Sequence, residues 1–447
     1  QYVALGRWDD AELEVVGLIT DMNSHNARKA LAELKLTVGQ VAETKPLMKA
    51  ILEADAHDPA GLYLKGRIAL AENDLLQAIS LFEETIGRNA ALAGPHLYLG
   101  LARLAQGRAD SAQDELREAI RLQPDNEAAH LTLAKLYLAQ QKPAEAEKEA
   151  WQALRLNPAN LEVFLRQTIL LDGFTGLVEV FMRPLNGGET LHFACRDNQT
   201  VLPDVAYSAA STIKIPIMTS VLKRLGEPTP DIARYWMERM VIHSENPPSD
   251  SLMSTYLDEN LGPLIVTEDM RSLGYQNTFL AGYFYSGAPL LQRFSTPANS
   301  RTDVYLDPDF YNQTVPSEIG DLLTRIYTCA HSADAALFEG QVSQTECQMM
   351  LDLLGQNKIG ALIEAGLPPG ASVAHKHGWT SDLDGLLHTL SDAGIVSTPG
   401  GDYVLIIFIN SSRQLIFDEG NWLFARLSQV IYNAFNLQQQ AAWLPGN

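Results

Sequence analysis

The chain has 447 residues, enough for two or three domains, and its 46% hydrophobic against 19% charged residues is the balance of a folded chain with ample core. A formal net charge of −21 argues against a polyanionic partner such as nucleic acid and against an anionic membrane surface. The longest clean apolar run, Tyr403 to Ile409, has strand length, so no membrane span is expected.

The chain opens at Gln1 without a basic-then-apolar segment, so no signal peptide is read and the sequence looks like a processed form or a fragment. A period of 34 residues then emerges. Gly66, Gly100 and Ala134 share one phase, Ala78, Ala112 and Ala146 a second, and Thr85, Ala119 and Ala153 a third; Pro124 and Pro158 close two units. Small residues at the first two phases let paired helices cross closely, and the proline stops the second helix. On these residues, segment 60–160 resembles tetratricopeptide repeats. Residues 25–58 read as a degenerate unit and the stretch from Gly6 as half of another. The resemblance implies an all-α solenoid over residues 1–165, whose concave surface binds a peptide or protein partner that nothing here identifies. With 18 basic and 24 acidic residues in 1–170, no charge stripe names its ligand class. Leu161 to Phe174 is amphipathic and reads as the last solenoid helix, the first helix of the next domain, or both.

From Gly176 the pattern changes. Two strands flank Gly187-Gly188, helical segments fill roughly 207–330, three strands come next near 372–379, 386–396 and 402–410, and a helix closes the region over about 417–436. Strands at both ends with helices between predict an α+β domain over 166–447, an antiparallel sheet flanked by helices. Cys195, Cys329 and Cys347 lack metal-binding spacing; buried thiols are the default, one disulfide the alternative. His192, His331 and His388 show no metal spacing either, and neither metal nor cofactor is expected.

Only four lysines occur in residues 171–447: Lys214, Lys223, Lys358 and Lys376. Lys214 stands three residues after Ser211, one helical turn away, where a neutral amine can take a serine proton. Alone that spacing is weak, and Ser211 by itself reads as a helix-capping hydroxyl. Two further elements accompany it: Ser244-Glu245-Asn246 ahead of a helix, and Lys376-His377-Gly378 on a strand. In that order, S-x-x-K, S-x-N and K-x-G give residues 170–437 a resemblance to class A β-lactamase-like serine hydrolases, within the penicillin-recognising family. The resemblance implies that Ser211 attacks a carbonyl and is acylated, that Lys214 helps deprotonate it, and that Ser244 relays a proton to the leaving nitrogen. Asn246 would bind the substrate's amide side chain, Lys376 its carboxylate, and Gly378 would let its backbone lie against the strand. Backbone N–H groups of Ser211 and Trp379 would form the oxyanion hole. The implied substrate is a β-lactam or a peptide-like amide, and the implied location is extracytoplasmic.

Four departures stand out. The family's deacylating glutamate has no counterpart: Asn312 fits its companion asparagine, but position 308 is proline, leaving Asp307 and Asp309 as candidates. His377 replaces a threonine; it would face solvent, or touch substrate and, once protonated, favour anions. Pro247-Pro248 come directly after Asn246, and Asp250 takes a place usually held by asparagine. Pro216 implies that the regular helix starts near Lys214–Pro216, leaving Ser211 on a tight preceding turn. Two alternatives to a β-lactam hydrolase remain open: a penicillin-binding, D,D-peptidase- or esterase-like enzyme that deacylates slowly, or a non-catalytic scaffold.

Overall fold

The computed structural model describes residues 25–37, 39–140, 142–157, 161–197, 199–304, 306–332, 335–338, 340–381, 384–436 and 441. The half-unit read from Gly6, and Pro158, lie outside them. Two compact units divide the chain, one up to Asn160 and one from Leu161.

The first unit consists of helices in pairs: α1 (His25–Thr37) with α2 (Val41–Ala54), α3 (Pro59–Ala71) with α4 (Leu75–Arg88), α5 (Ala93–Ala105) with α6 (Ala109–Leu122), and α7 (Glu127–Ala139) with α8 (Pro143–Leu156). Asp58 caps α3 by accepting from the Ala60 and Gly61 amides, and Asp74 caps α4 through Gln77. The repeating small residues explain the close crossings. A Cβ on Gly66 would meet the Phe82 ring at 2.6 Å, and one on Gly100 would meet Leu116 at 3.0 Å. Ala78, Ala112, Thr85, Ala119 and Ala153 are fully buried. One polar pair repeats with the helices: His96 Nδ1 meets Glu115 at 2.7 Å, and 34 residues on His130 Nδ1 meets Glu149 at 2.6 Å.

In the second unit α9 (Leu161–Asp172) packs against the closing helix α16 (Phe417–Phe435). The six-stranded antiparallel sheet contains β1 (Leu177–Pro184), β2 (Leu191–Arg196), β3 (Gln199–Val201), β7 (Ser372–Ser381), β8 (Leu387–Ser397) and β9 (Tyr403–Asn410), in the order β3-β2-β1-β9-β8-β7. The α+β architecture read from the sequence is the one found. Every residue of β9 is buried, which its unbroken apolar run demands: both faces of the central strand are covered. Helix α14 (Pro316–His331) approaches so closely on one face that a Cβ on Gly320 would collide with the Phe181 ring; Gly420 of α16 sits against Leu390 and Ile409 on the other.

The remaining helices are α10 (Lys214–Leu222), α11 (Asp231–Val241), α12 (Asn246–Tyr256), α13 (Gly262–Ser272) and α15 (Gln344–Gly355). Two findings go beyond the sequence reading. The described residues of 281–311 hold no helix, in keeping with Gly282, Gly287, Pro289 and Pro297. Three very short strands, β4 (Tyr207–Ser208), β5 (Phe279–Leu280) and β6 (Asn312–Thr314), form a second sheet ordered β4-β6-β5. Of the cysteine alternatives, the disulfide holds for one pair: Cys329 of α14 is bonded to Cys347 of α15, while Cys195 is a buried thiol. Among the described residues no helix is long and apolar enough to cross a membrane.

Candidate active site

Ser211 lies in a 3-10 turn, Ala210–Ile213, that feeds straight into α10 at Lys214. Pro216 therefore falls in the first turn of α10, where its missing N–H breaks no helical bond. The entry is tight: Ala210 has φ 47°, left-handed for a residue with a Cβ. Lys214 is fully buried, and its Nζ is 3.3 Å from Ser211 Oγ.

The second motif arrives from the α11–α12 connection. Ser244 also has a left-handed backbone, φ 58°, which places both its carbonyl and its hydroxyl near Lys214. Lys214 Nζ donates to Ser244 O at 2.6 Å and to Asn246 Oδ1 at 2.9 Å, and Ser244 Oγ donates to Ser211 Oγ at 3.1 Å. The third motif closes the ring from β7: Lys376, also fully buried, donates from Nζ to Ser244 Oγ at 3.0 Å. Two amines thus flank two hydroxyls. Burial pushes the Lys214 ammonium down to about 8, against the opposing pull of Asp250 and Glu245. Burial, and then the neighbouring charge of Lys214, push Lys376 down to about 7.

Gly378 is hemmed in by its own surroundings. A Cβ there would lie 2.8 Å from Ser391 Oγ, 3.0 Å from the Ala209 carbonyl and 3.1 Å from the Ser211 amide, so the glycine lets β7 seat against both β8 and the Ser211 turn. The solvent-facing, protonatable His377 needs correcting. It is 6% exposed; burial and the Lys376 charge push its imidazole down to about 3, so it stays neutral and cannot favour anions by charge. Its Nδ1 lies 3.3 Å from Asn357 Nδ2, and its ring stacks on Trp379 with centroids 4.6 Å apart. Trp379 is partly exposed and also meets Phe417 edge-on at 5.1 Å.

The candidate deacylation residues form a local knot beside β4. Asp309 accepts from the Tyr311 amide at 2.9 Å and from Asn312 Nδ2 at 2.7 Å, while its own amide donates to Ser208 Oγ at 2.7 Å. Asn312 Oδ1 is buried without a protein partner. Asp307 has φ 51°, a turn conformation.

Asp250, already marked in the sequence, supports the site from α12, while Asn357, His375 and Asp392 behind β7 carry no signal in a single sequence. Asp250 Oδ1 accepts from the Phe284 amide at 2.8 Å and so holds the Phe284 ring 5.8 Å from Lys214 Nζ. Asn357 donates to His375 O at 2.9 Å, and His375 leans on buried Asp392 at 2.9 Å; together they brace β7 from behind. Away from the site, Glu179, His192 and Asp204 bring ligand-type atoms within 4.8 Å of one another, a grouping that the sequence spacing concealed. Glu179 there accepts from His192 Nε2 and from the Asp204 and Val205 amides, tying β1 to the segment entering β4.

Residues 233–435 match the family model described as beta-lactamase enzyme family, and residues 103–164 match a tetratricopeptide-repeat model. No curated protein matches the chain. Similar solved structures include PBP-A, 21% identical over 62% of this chain and 96% of that one, with a TM-score of 0.45. A beta-lactamase from Chitinophaga pinensis DSM 2588 is 18% identical over 62% of this chain and 99% of that one, TM-score 0.46. The TLA-1 extended-spectrum beta-lactamase is 15% identical over 62% and 98%, TM-score 0.46.

Proposed function

From a chain that joins a tetratricopeptide-repeat region to a class A-like β-lactamase-family domain, we propose a serine acyl hydrolase that opens a β-lactam or related amide through an ester on Ser211. The observation that carries this reading is the continuous contact from Lys376 through Ser244 to Ser211 and on to Lys214, each step 3.0–3.3 Å. Neutral Lys214 takes the Ser211 proton as Oγ bonds to the substrate carbonyl carbon. The tetrahedral oxyanion collapses, the C–N bond breaks, and the nitrogen leaves with a proton passed through Ser244 Oγ, whose position Lys376 holds. Water then cleaves the ester, restoring Ser211. On this reading the Asn246 amide nitrogen is left for the substrate because its oxygen is engaged by Lys214. The repeat region is read as a docking surface for a protein or peptide. An oxidising, extracytoplasmic setting suits the Cys329–Cys347 bond.

A second reading is favoured by the knot around Asp309. Its carboxylate already accepts from Tyr311 and Asn312, and Pro308 stands where a water-activating glutamate is usual, so the enzyme would acylate readily and deacylate slowly, like a penicillin-binding protein. Incubation with a chromogenic cephalosporin and a labelled penicillin, beside Ser211→Ala, tests both. Sustained turnover lost in Ser211→Ala supports hydrolysis; a stable Ser211 adduct without turnover supports the second reading. Neither adduct nor turnover with any amide or ester would leave a scaffold as the better account.

A further inference from the structure

Ser211 and Lys214 differ in what solvent can reach. Ser211 is partly exposed, whereas Lys214 is fully buried. A neutral amine has two hydrogens and one lone pair. Lys214 Nζ lies 2.6 Å from Ser244 O and 2.9 Å from Asn246 Oδ1, which take the hydrogens and leave the lone pair for Ser211 Oγ at 3.3 Å. One cover of this amine is Phe284, whose ring centroid lies 5.8 Å from Nζ and whose side chain packs on the large core cluster. The ring is firmly mounted. The Phe284 amide donates to Asp250 Oδ1 at 2.8 Å, and the Tyr283 hydroxyl donates to the Asp258 and Glu259 carbonyls at 2.8 and 3.1 Å. Asp250 is the carboxylate whose charge bears most on Lys214, yet it accepts from the Phe284 and Tyr285 amides, so it is engaged by the loop backbone.

We propose that the Phe284 ring keeps water from Lys214 while Ser211 carries an acyl group, a step that presupposes the Ser211 ester of the proposed function. Release requires a water oxygen to bond to the ester carbonyl carbon as its proton passes to Lys214. The C–Oγ bond then breaks, and Lys214 returns a proton to Ser211 Oγ. With the ring in place substrate reaches the hydroxyl but water does not reach the base, so the ester forms readily and persists.

A labelled penicillin and 4-nitrophenyl acetate, in separate arms with the full chain, test this through the rates at which the Ser211 adduct forms and disappears, followed by intact mass. Phe284→Ala should shorten the adduct half-life by roughly tenfold or more. Phe284→Met, apolar and nearly as large, should stay within about threefold of the parent. Phe284→Val, a smaller truncation, should shorten it by about threefold or more and carries the test should the alanine variant fold poorly. Faster release is a gain that general damage to the site does not give, since damage slows formation and release together. An unchanged half-life in a folded alanine or valine variant, a methionine variant that releases as fast as the alanine one, or product without a lasting adduct in the parent would overturn the shield and leave the ester standing. Neither adduct nor product in either arm would remove the ester and the shield with it.

Discussion

The repeat array and the hydrolase-like domain solve the same burial problem in opposite ways. In the array, small separate clusters, such as that of Ala69, Ala78, Phe82, Leu99 and Ala102, are each closed by neighbouring helices. In the second unit one large cluster runs from Leu177 through the α10 core to Phe408, joining residues more than two hundred positions apart. Local closure makes stability a sum of near-neighbour terms; long-range closure makes it all-or-none, and only the latter can hold Ser211, Ser244 and Lys376 together from three distant segments. Damage should therefore stay local in the array and spread in the domain.

The largest stability effect is expected from the disulfide. Cys347→Ala, which opens a bridge spanning 18 residues, should cost the second unit about 3 kcal/mol and leave the array's melting unchanged, as calorimetry of the full chain would resolve. Gly378→Ala comes next. Its Cβ meets Ser391 Oγ and backbone on the Ser211 turn, and displacement of Ser211, the proposed nucleophile, by about 1 Å should lower the acylation rate roughly 100-fold while the repeats are untouched. Gly66→Ala makes the converse test. Crowding Phe82 should cost about 1–3 kcal/mol, read as faster amide exchange in α3 and α4, with no change in acylation. The pH profile is milder. With neutral Lys214 as the proposed base and its ammonium held near 8, acylation by a neutral ester should rise roughly tenfold between pH 7 and 9 and then level off.

The smallest effect sets the two regions against each other. Burial lowers the His130 pKa, but Glu149 and the Pro124 carbonyl outweigh it and the net shift is upward. The stability it adds is full below the histidine's ordinary pKa and is lost as pH rises through the raised one. Lys214 and Lys376 are shifted down, so the unfolded chain binds more protons between about pH 7 and 10.5, and their domain gains stability with rising pH. Two thermal transitions that move in opposite directions between pH 6 and 9 are expected; parallel movement would break the comparison.

Legibility in the sequence divides along the same line. The array is periodic, so counting finds it. In the domain, strands β1, β2, β7, β8 and β9 and helix α16 were readable because each carries its own apolar pattern or turn. The short strands of the second sheet were not, since two or three residues hold no pattern and exist only through pairing such as Tyr207 with Thr314. Lys214 and Lys376 stood out by scarcity and motif. The depressed pKa of His377 did not, because it comes from burial and from a neighbouring ammonium, neither of which a strand sequence displays. Asn357 acts through buried contacts and looks like an ordinary polar residue in the chain.

The placement of β9 has a consequence for biosynthesis. It is the last of the sheet's six strands to leave the ribosome, yet it lies between β1, made more than two hundred residues earlier, and β8. Until it inserts, the sheet exists as two unjoined halves with open edges, and the missing centrepiece is itself an uncharged aliphatic segment of the sort that self-associates. Chaperone dependence during synthesis, and inclusion bodies on rapid expression, are the behaviour this chain order implies.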